Sequence, residues 1–170
     1  DPTHSEVQFK IKHLMITNVT GSFDIFTVSA QTEDEDFTKA KVSFTADVNS
    51  ISTNNEQRDG HLKSADFFDA EKFPQIKFEA TKTENVDSDG SYDLFGDLTI
   101  RDVTKNVKLS VEFGGVVKGP YGNTKAGFTV NGKINRKDFG LTWSAVTEAG
   151  GVVVSDEVRI AVEIQLIEQA

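Results

Sequence analysis

Apolar and polar residues alternate along most of the chain, and a period of two sends successive side chains to opposite faces of a β-sheet. Val7, Phe9 and Ile11 alternate with Glu6, Gln8, Lys10 and Lys12, and Val42, Phe44, Ala46 and Val48 with Lys41, Ser43, Thr45 and Asp47. The same rhythm returns at Ile76, Phe78 and Ala80, at Tyr92, Leu94, Leu98 and Ile100, at Val107, Leu109, Val111 and Phe113, and at Ala126, Phe128, Val130 and Ile134. It is cleanest at Val158, Ile160, Val162, Ile164 and Leu166, set against Glu157, Arg159, Glu163 and Gln165. A further strand near 23–30 breaks parity at Phe23, Ile25, Phe26 and Val28, which predicts a bulge. Asp89-Gly90, Gly114-Gly115 and Gly119-Pro120 supply turn chemistry between the runs. About eight strands, apolar on one face and charged on the other, predict an all-β fold, either an antiparallel sandwich or a closed barrel.

One stretch, from about Ser52 to Pro74, does not alternate. Thr53-Asn54-Asn55-Glu56 has the spacing of a capping box and predicts a short helix. Asp59 and Lys63 then stand one turn apart on its wet side, Leu62 looks inward, and Pro74 ends any helical continuation. Phe67, Phe68 and Phe73 are expected to crowd against the sheet. His13 to Ile16 has room for a second, single helical turn. No repeat, linker or low-complexity segment interrupts the chain, so one domain over residues 1–170 is expected.

Composition narrows the function. The 170 residues include 18 basic and 27 acidic side chains, a net charge of −9 that repels phosphate backbones and argues against a nucleic-acid partner. There is no cysteine, which removes disulfides, thiolate nucleophiles and Cys-based metal sites. Thirteen Phe stand against two Tyr and one Trp, so most of the aromatic surface has no polar handle and calls for burial in a core or against an apolar ligand. The apolar stretches span only a few residues, far short of the ~20 that a membrane-spanning helix needs. No basic stretch followed by an apolar one opens the sequence; this favours the cytoplasm over export, which would need a signal ahead of Asp1.

Catalytic and cofactor motifs are missing. His4, His13 and His61 do not stand at the spacing that turns two imidazoles from one helix toward a metal. Neither a nucleophile elbow nor a glycine-rich phosphate cradle occurs, so acyl transfer and nucleotide use are not indicated. Asn85, Asp87, Asp89 and Gly90 imitate half of a calcium loop, but Gly96 stands where the bidentate Glu belongs, and the segment reads as a hairpin turn. The residues therefore predict no metal, no cofactor and no enzyme.

Several segments, taken in order, resemble the YceI-like family. They are Asp1-Pro2-Thr3-His4-Ser5 with Val7, Phe9 and Lys12-His13-Leu14, then Gly21-Ser22-Phe23 with Phe26, then Ser50-Ile51-Ser52-Thr53. The long run from Arg58 to Asp69 follows, with Phe73-Pro74, Ile76 and Phe78, Gly96-Asp97-Leu98-Thr99-Ile100, Val103-Thr104-Lys105, and Asn135 to Leu141. The resemblance spans nearly the whole chain. It implies an antiparallel, eight-stranded, lipocalin-like barrel with one or two short helices. It further implies an apolar interior that takes an isoprenoid or other long-chain amphiphile (a polyprenyl phosphate, a quinone or a fatty-acid derivative), no established catalysis, and association as a homodimer.

Strand parity marks Phe9, Ile11, Phe44, Phe78, Leu98, Phe128 and Val158 as inward, with Phe67 and Phe68 over one end. Parity alone leaves two outcomes, a barrel filled by these side chains or one that holds a cavity; the resemblance implies the cavity. Trp143 either lines it or plugs it. His13, Arg58, His61 and Arg136 are the polar residues within the resembling segments that could reach a head group, although Arg58 beside Asp59 and Arg136 beside Asp138 could equally serve turns or surface ion pairs. Two other classes stay open: an enzyme acting on a lipid or quinone at the barrel mouth, and a stress-related interaction scaffold.

Overall fold

Ten strands form a single antiparallel sheet in the computed structural model, which describes residues 1–145 and 151–169. They are β1 (Glu6–His13), β2 (Thr17–Phe23), β3 (Phe26–Gln31), β4 (Lys41–Asp47), β5 (Ile51–Ser52), β6 (Gln75–Glu84), β7 (Tyr92–Ile100), β8 (Val103–Lys118), β9 (Thr124–Asn135) and β10 (Val154–Ile167). The hydrogen-bonded order is β3-β4-β6-β7-β8-β9-β10-β1-β2-β5, and the sheet curls into a half-barrel. One α-helix, α1 (Glu56–Lys63), and 3₁₀ turns at Phe37–Lys39, Val48–Ser50 and Arg136–Phe139 complete the described elements.

Two bent strands account for the count of ten instead of eight. The irregular strand expected near 23–30 does not bulge but breaks outright at Asp24 and Ile25: its later part is β3, and its start is the end of β2, a strand over Thr17–Phe23 that the alternation had not marked. The run 41–52 breaks opposite it, at the turn Val48–Ser50, giving β4 and β5. At the break, Asp24 N–H donates to Ser50 O (3.2 Å), Ile25 N–H to Ser50 Oγ (3.0 Å) and Asp47 N–H to Ile25 O (2.9 Å). These bonds satisfy the backbone where ladder pairing lapses. The bend lets one ribbon reach both neighbours, because β2 pairs with β1 while β4 pairs with β6. Parity fails at Ile25, 63% exposed, because the chain turns a corner there.

The helix begins later than the capping-box spacing suggests. Asn55 is its N-cap and accepts from Arg58 N–H at 2.9 Å. Thr53 is instead buried and clasped by the helix's own side chains: its N–H and hydroxyl donate to Asp59 Oδ1 (2.8 and 2.6 Å), and Arg58 Nε donates to its Oγ1 (2.7 Å). Asp59 therefore does not simply face water. The helix ends at Ser64, well before Pro74, because the following turns fold back on it: Phe68 N–H donates to Leu62 O and Ala70 N–H to Lys63 O. No helical turn forms at His13 to Ile16. These residues make the β1–β2 hairpin, with Leu14 (φ 53°) and Met15 (φ 63°) both left-handed and Ile16 N–H donating to His13 O.

The two ends of the barrel are built differently. At one end lie the β1–β2 hairpin, α1, the β7–β8 turn and residues 136–145 after β9. At the other, the connection from β3 to β4 carries Phe37, whose ring stands 5.1 Å from Phe128, while Phe128 lies 5.4 Å from Phe113. This triad seals its end with apolar contacts. Phe128 is 8% exposed, so Phe128→Ala should lower unfolding free energy by about 3–5 kcal/mol in urea titrations.

Candidate functional site

The inward faces of the strands enclose a cavity of about 420 Å³. Phe9 and Ile11 reach it from β1, Phe44 from β4, Phe78 from β6, Leu98 from β7 and Val158 from β10. Phe67, Phe68 and Trp143 line it too. Phe128, expected on the lining by parity, is not part of it; the strand is long enough that its inward position falls in the Phe37–Phe113 seal. Parity could have added Ile76, Leu94, Leu109, Val130 and Ile160, which share the faces of residues already marked. Val19 and Val28 could not be marked, because they belong to the ribbon that breaks.

A barrel of this size is just wide enough either to be filled or to hold one small ligand, so side-chain direction decides. Glycine sets that direction here. Phe9 pairs with Gly21, and a Cβ on that glycine would stand 2.2 Å from Phe9 Cζ. A Cβ on Gly96 would meet Phe78 Cζ at 2.2 Å, and one on Gly132 would meet Leu109 Cδ2 at 2.5 Å. Each large side chain thus lies along the wall, over a missing one, instead of across the lumen. Phe9 also tilts against Phe23 at 5.6 Å, and Phe23 takes Phe68 edge-on at 5.9 Å.

Polar side chains gather at the end that carries α1. His13, Arg58, His61 and Arg136 all border the cavity, so the fold brings the four together, although their chemistry differs. Arg136 is 2% exposed and held by backbone carbonyls: Nε donates to Ser155 O (2.8 Å), Nη1 to Leu141 O (2.6 Å) and Trp143 O (2.7 Å), and Nη2 to Val154 O (3.3 Å). Burial lowers its pKa, and Asp156 at 3.7 Å opposes the shift. These bonds make Arg136 the clamp that fixes the chain around Trp143 and the start of β10 on the barrel end, rather than a free head-group donor.

Arg58 is likewise engaged, with Nη2 donating to Thr53 O at 2.7 Å beside its Nε bond. His61 Nε2 lies 2.9 Å from Asp66 Oδ2, which orients the imidazole. Its ring stands 5.1 Å from Phe67 and 5.0 Å from Trp143, both edge-on, and Phe67 and Trp143 are 5.4 Å apart. Trp143 therefore both lines the cavity and belongs to a three-ring cover at its mouth. His13 is exposed, with Lys12 beside it on the lining. Among the described residues no three of His, Cys, Asp or Glu converge in a way that could hold a metal ion. No helix among them is long and apolar enough to cross a membrane.

Against this geometry stand the likenesses to known proteins. A family model described as a YceI-like domain matches residues 1–166. The UPF0312 protein SA2479 of Staphylococcus aureus (strain N315) is 42% identical over 161 residues, covering 94% of this chain and 90% of the relative. The crystal structure of a Campylobacter jejuni YCEI protein superposes with a TM-score of 0.80 at 36% identity, over 95% of this chain and 91% of that one. A domain from Saccharophagus degradans described as polyisoprenoid binding has the same fold, with a TM-score of 0.64 at 16% identity over 98% and 94% of the two chains.

Two substitutions probe the construction. Gly96→Ala forces Phe78 off the wall and should destabilise the protein by about 1–3 kcal/mol in denaturant titrations, with loss of cavity volume in its crystal structure. Arg136→Met removes four hydrogen bonds to backbone carbonyls, the one to Leu141 O fully buried, and should cost about 3 kcal/mol or more by the same measurement.

Proposed function

Because the chain belongs to the YceI-like domain family, and because its barrel surrounds an apolar cavity with a polar mouth, we propose that it is a non-catalytic binding and carrier protein for a long-chain amphiphile of the isoprenoid class. The observation that carries this reading is the cavity itself: 420 Å³ walled by aliphatic and aromatic side chains and closed at one end by Phe37, Phe113 and Phe128. An apolar cavity of about 150 Å³ takes one benzene, so this volume corresponds to roughly fifteen carbons, about three isoprene units. Burial is worth roughly 0.8 kcal/mol per methylene, and ten buried carbons supply about 8 kcal/mol before the costs of association. A tail bound in this way needs few polar anchors.

The mouth supports carriage over turnover. The buried Arg136 and the exposed Arg58 are bonded to the protein's own chain, and His61 is held by Asp66, which leaves the side chains of Lys12 and His13, also exposed, to face an entering head group. The Saccharophagus degradans domain, named for polyisoprenoid binding, lends support by analogy of fold.

Native mass spectrometry of protein mixed with prenyl alcohols and phosphates of increasing length tests the proposal. The expected outcome is a one-to-one complex whose affinity rises up to about fourfold per added methylene and levels off when the cavity is full. Leu98→Trp, which fills the lumen, should cut uptake at least about tenfold while the circular dichroism spectrum is kept. Absence of any complex with the wild-type protein, or affinity that ignores chain length, overturns the reading.

A further inference from the structure

Three consecutive large apolar residues stand in water at the tip of the β1–β2 hairpin: Leu14 is 38%, Met15 54% and Ile16 78% exposed. Val152, 37% exposed, adjoins them, because Leu14 N–H donates to Val153 O at 2.9 Å. Of the other exposed apolar residues, Ile25 and Val86 stand singly, which is ordinary for a protein surface, and Val117 and Tyr121 lie on the β8–β9 hairpin, away from the cavity lining. The hairpin tip lies at the cavity mouth, since His13 before it and Val153 beside it both line the cavity.

Two further features set this tip apart. Its central residues are left-handed, a conformation in which Asn-Gly is the favoured pair, yet Leu14 and Met15 occupy it. Residues 7–23 also carry Lys10 and Lys12 with no carboxylate, in a chain of net charge −9, and the carboxylates of the adjoining strand, Asp156 and Glu157, are paired with Lys137 (3.3 Å) and Arg159 (3.4 Å). An apolar tip that follows two lysines on β1 matches the interface of an anionic bilayer. A second copy of the chain would bring the same cations against its own, so self-association through the tip is disfavoured.

We propose that the Leu14–Met15–Ile16 tip, with Val152, is a wedge that seats the cavity mouth on an anionic lipid bilayer, so that a lipid tail passes between membrane and barrel without crossing water. The inference rests on the carrier reading for its purpose, but vesicle attachment and ligand uptake are separate measurements, so failure of one is distinguishable from failure of the other.

Flotation with phosphatidylglycerol–phosphatidylethanolamine vesicles, compared with pure phosphatidylcholine vesicles, tests it. The wild-type protein should float with the anionic vesicles and be released by high salt. The double variant L14N/M15G, whose sequence suits the turn, should keep or gain thermal stability, lose about tenfold or more of its vesicle binding, and still take up prenyl lipid from detergent. Lys10→Glu should weaken binding to the anionic vesicles only. Met15→Trp should show a blue-shifted emission on mixing with them, a reading independent of refolding. The proposal is overturned if the wild-type protein stays with the unbound fraction, if L14N/M15G floats equally well, or if that variant turns a dimer into a monomer in sedimentation without changing its partition.

Discussion

The interior stays hollow because the largest lining side chains have somewhere else to lie. Phe9 over Gly21 and Phe78 over Gly96 leave no room for even one carbon on the glycine. Rings pressed against the wall retain most of their contacts while the centre stays clear. Protein interiors are otherwise packed to the density of organic crystals, so an apolar cavity of 420 Å³ forfeits packing that a bound tail could restore.

The two ends of the barrel then divide the work. One is sealed by the packing of Phe37, Phe113 and Phe128, which needs no polar partner. The other is roofed by His61, Phe67 and Trp143, and its scaffold is polar: Arg136 gathers carbonyls from Leu141, Trp143, Val154 and Ser155, and Asp59 and Arg58 tie α1 to Thr53. A buried guanidinium is tolerated there because each of its nitrogens donates to a backbone carbonyl oxygen. The cover can therefore be precise in position without being welded shut by a dense hydrophobic contact.

Much of this was legible in advance, and the misses share a cause. Alternation located the sheet face that lines the cavity, because a side chain's face depends only on its place in a strand. It could not say how far along the barrel a residue sits, so Phe128 has the right face and the wrong end. The broken parity at Phe23, Ile25 and Phe26 flagged an irregularity, but its nature depends on Asp47 and Ser50, which meet it from a distant stretch of chain. Thr53 and Asn55 both carry cap-competent side chains; Asn55 prevails because Arg58 and Asp59 claim the threonine from inside the helix.

The polar residues show the same division most sharply. Their positions in the chain mark His13, Arg58, His61 and Arg136 alike, and all four do border the cavity. Whether such a group is free to meet a ligand depends on which carbonyls and carboxylates converge on it, and those come from elements far apart in sequence. By itself the order of residues determined an antiparallel β fold, its apolar face and the family to which that pattern is similar, since period, polarity and local motifs are properties of neighbours. Tertiary structure alone decided that the apolar face encloses space, that Arg136 is a clamp, and that Leu14, Met15 and Ile16 stand outside at the mouth, because volume, pairing and exposure exist only once distant segments meet.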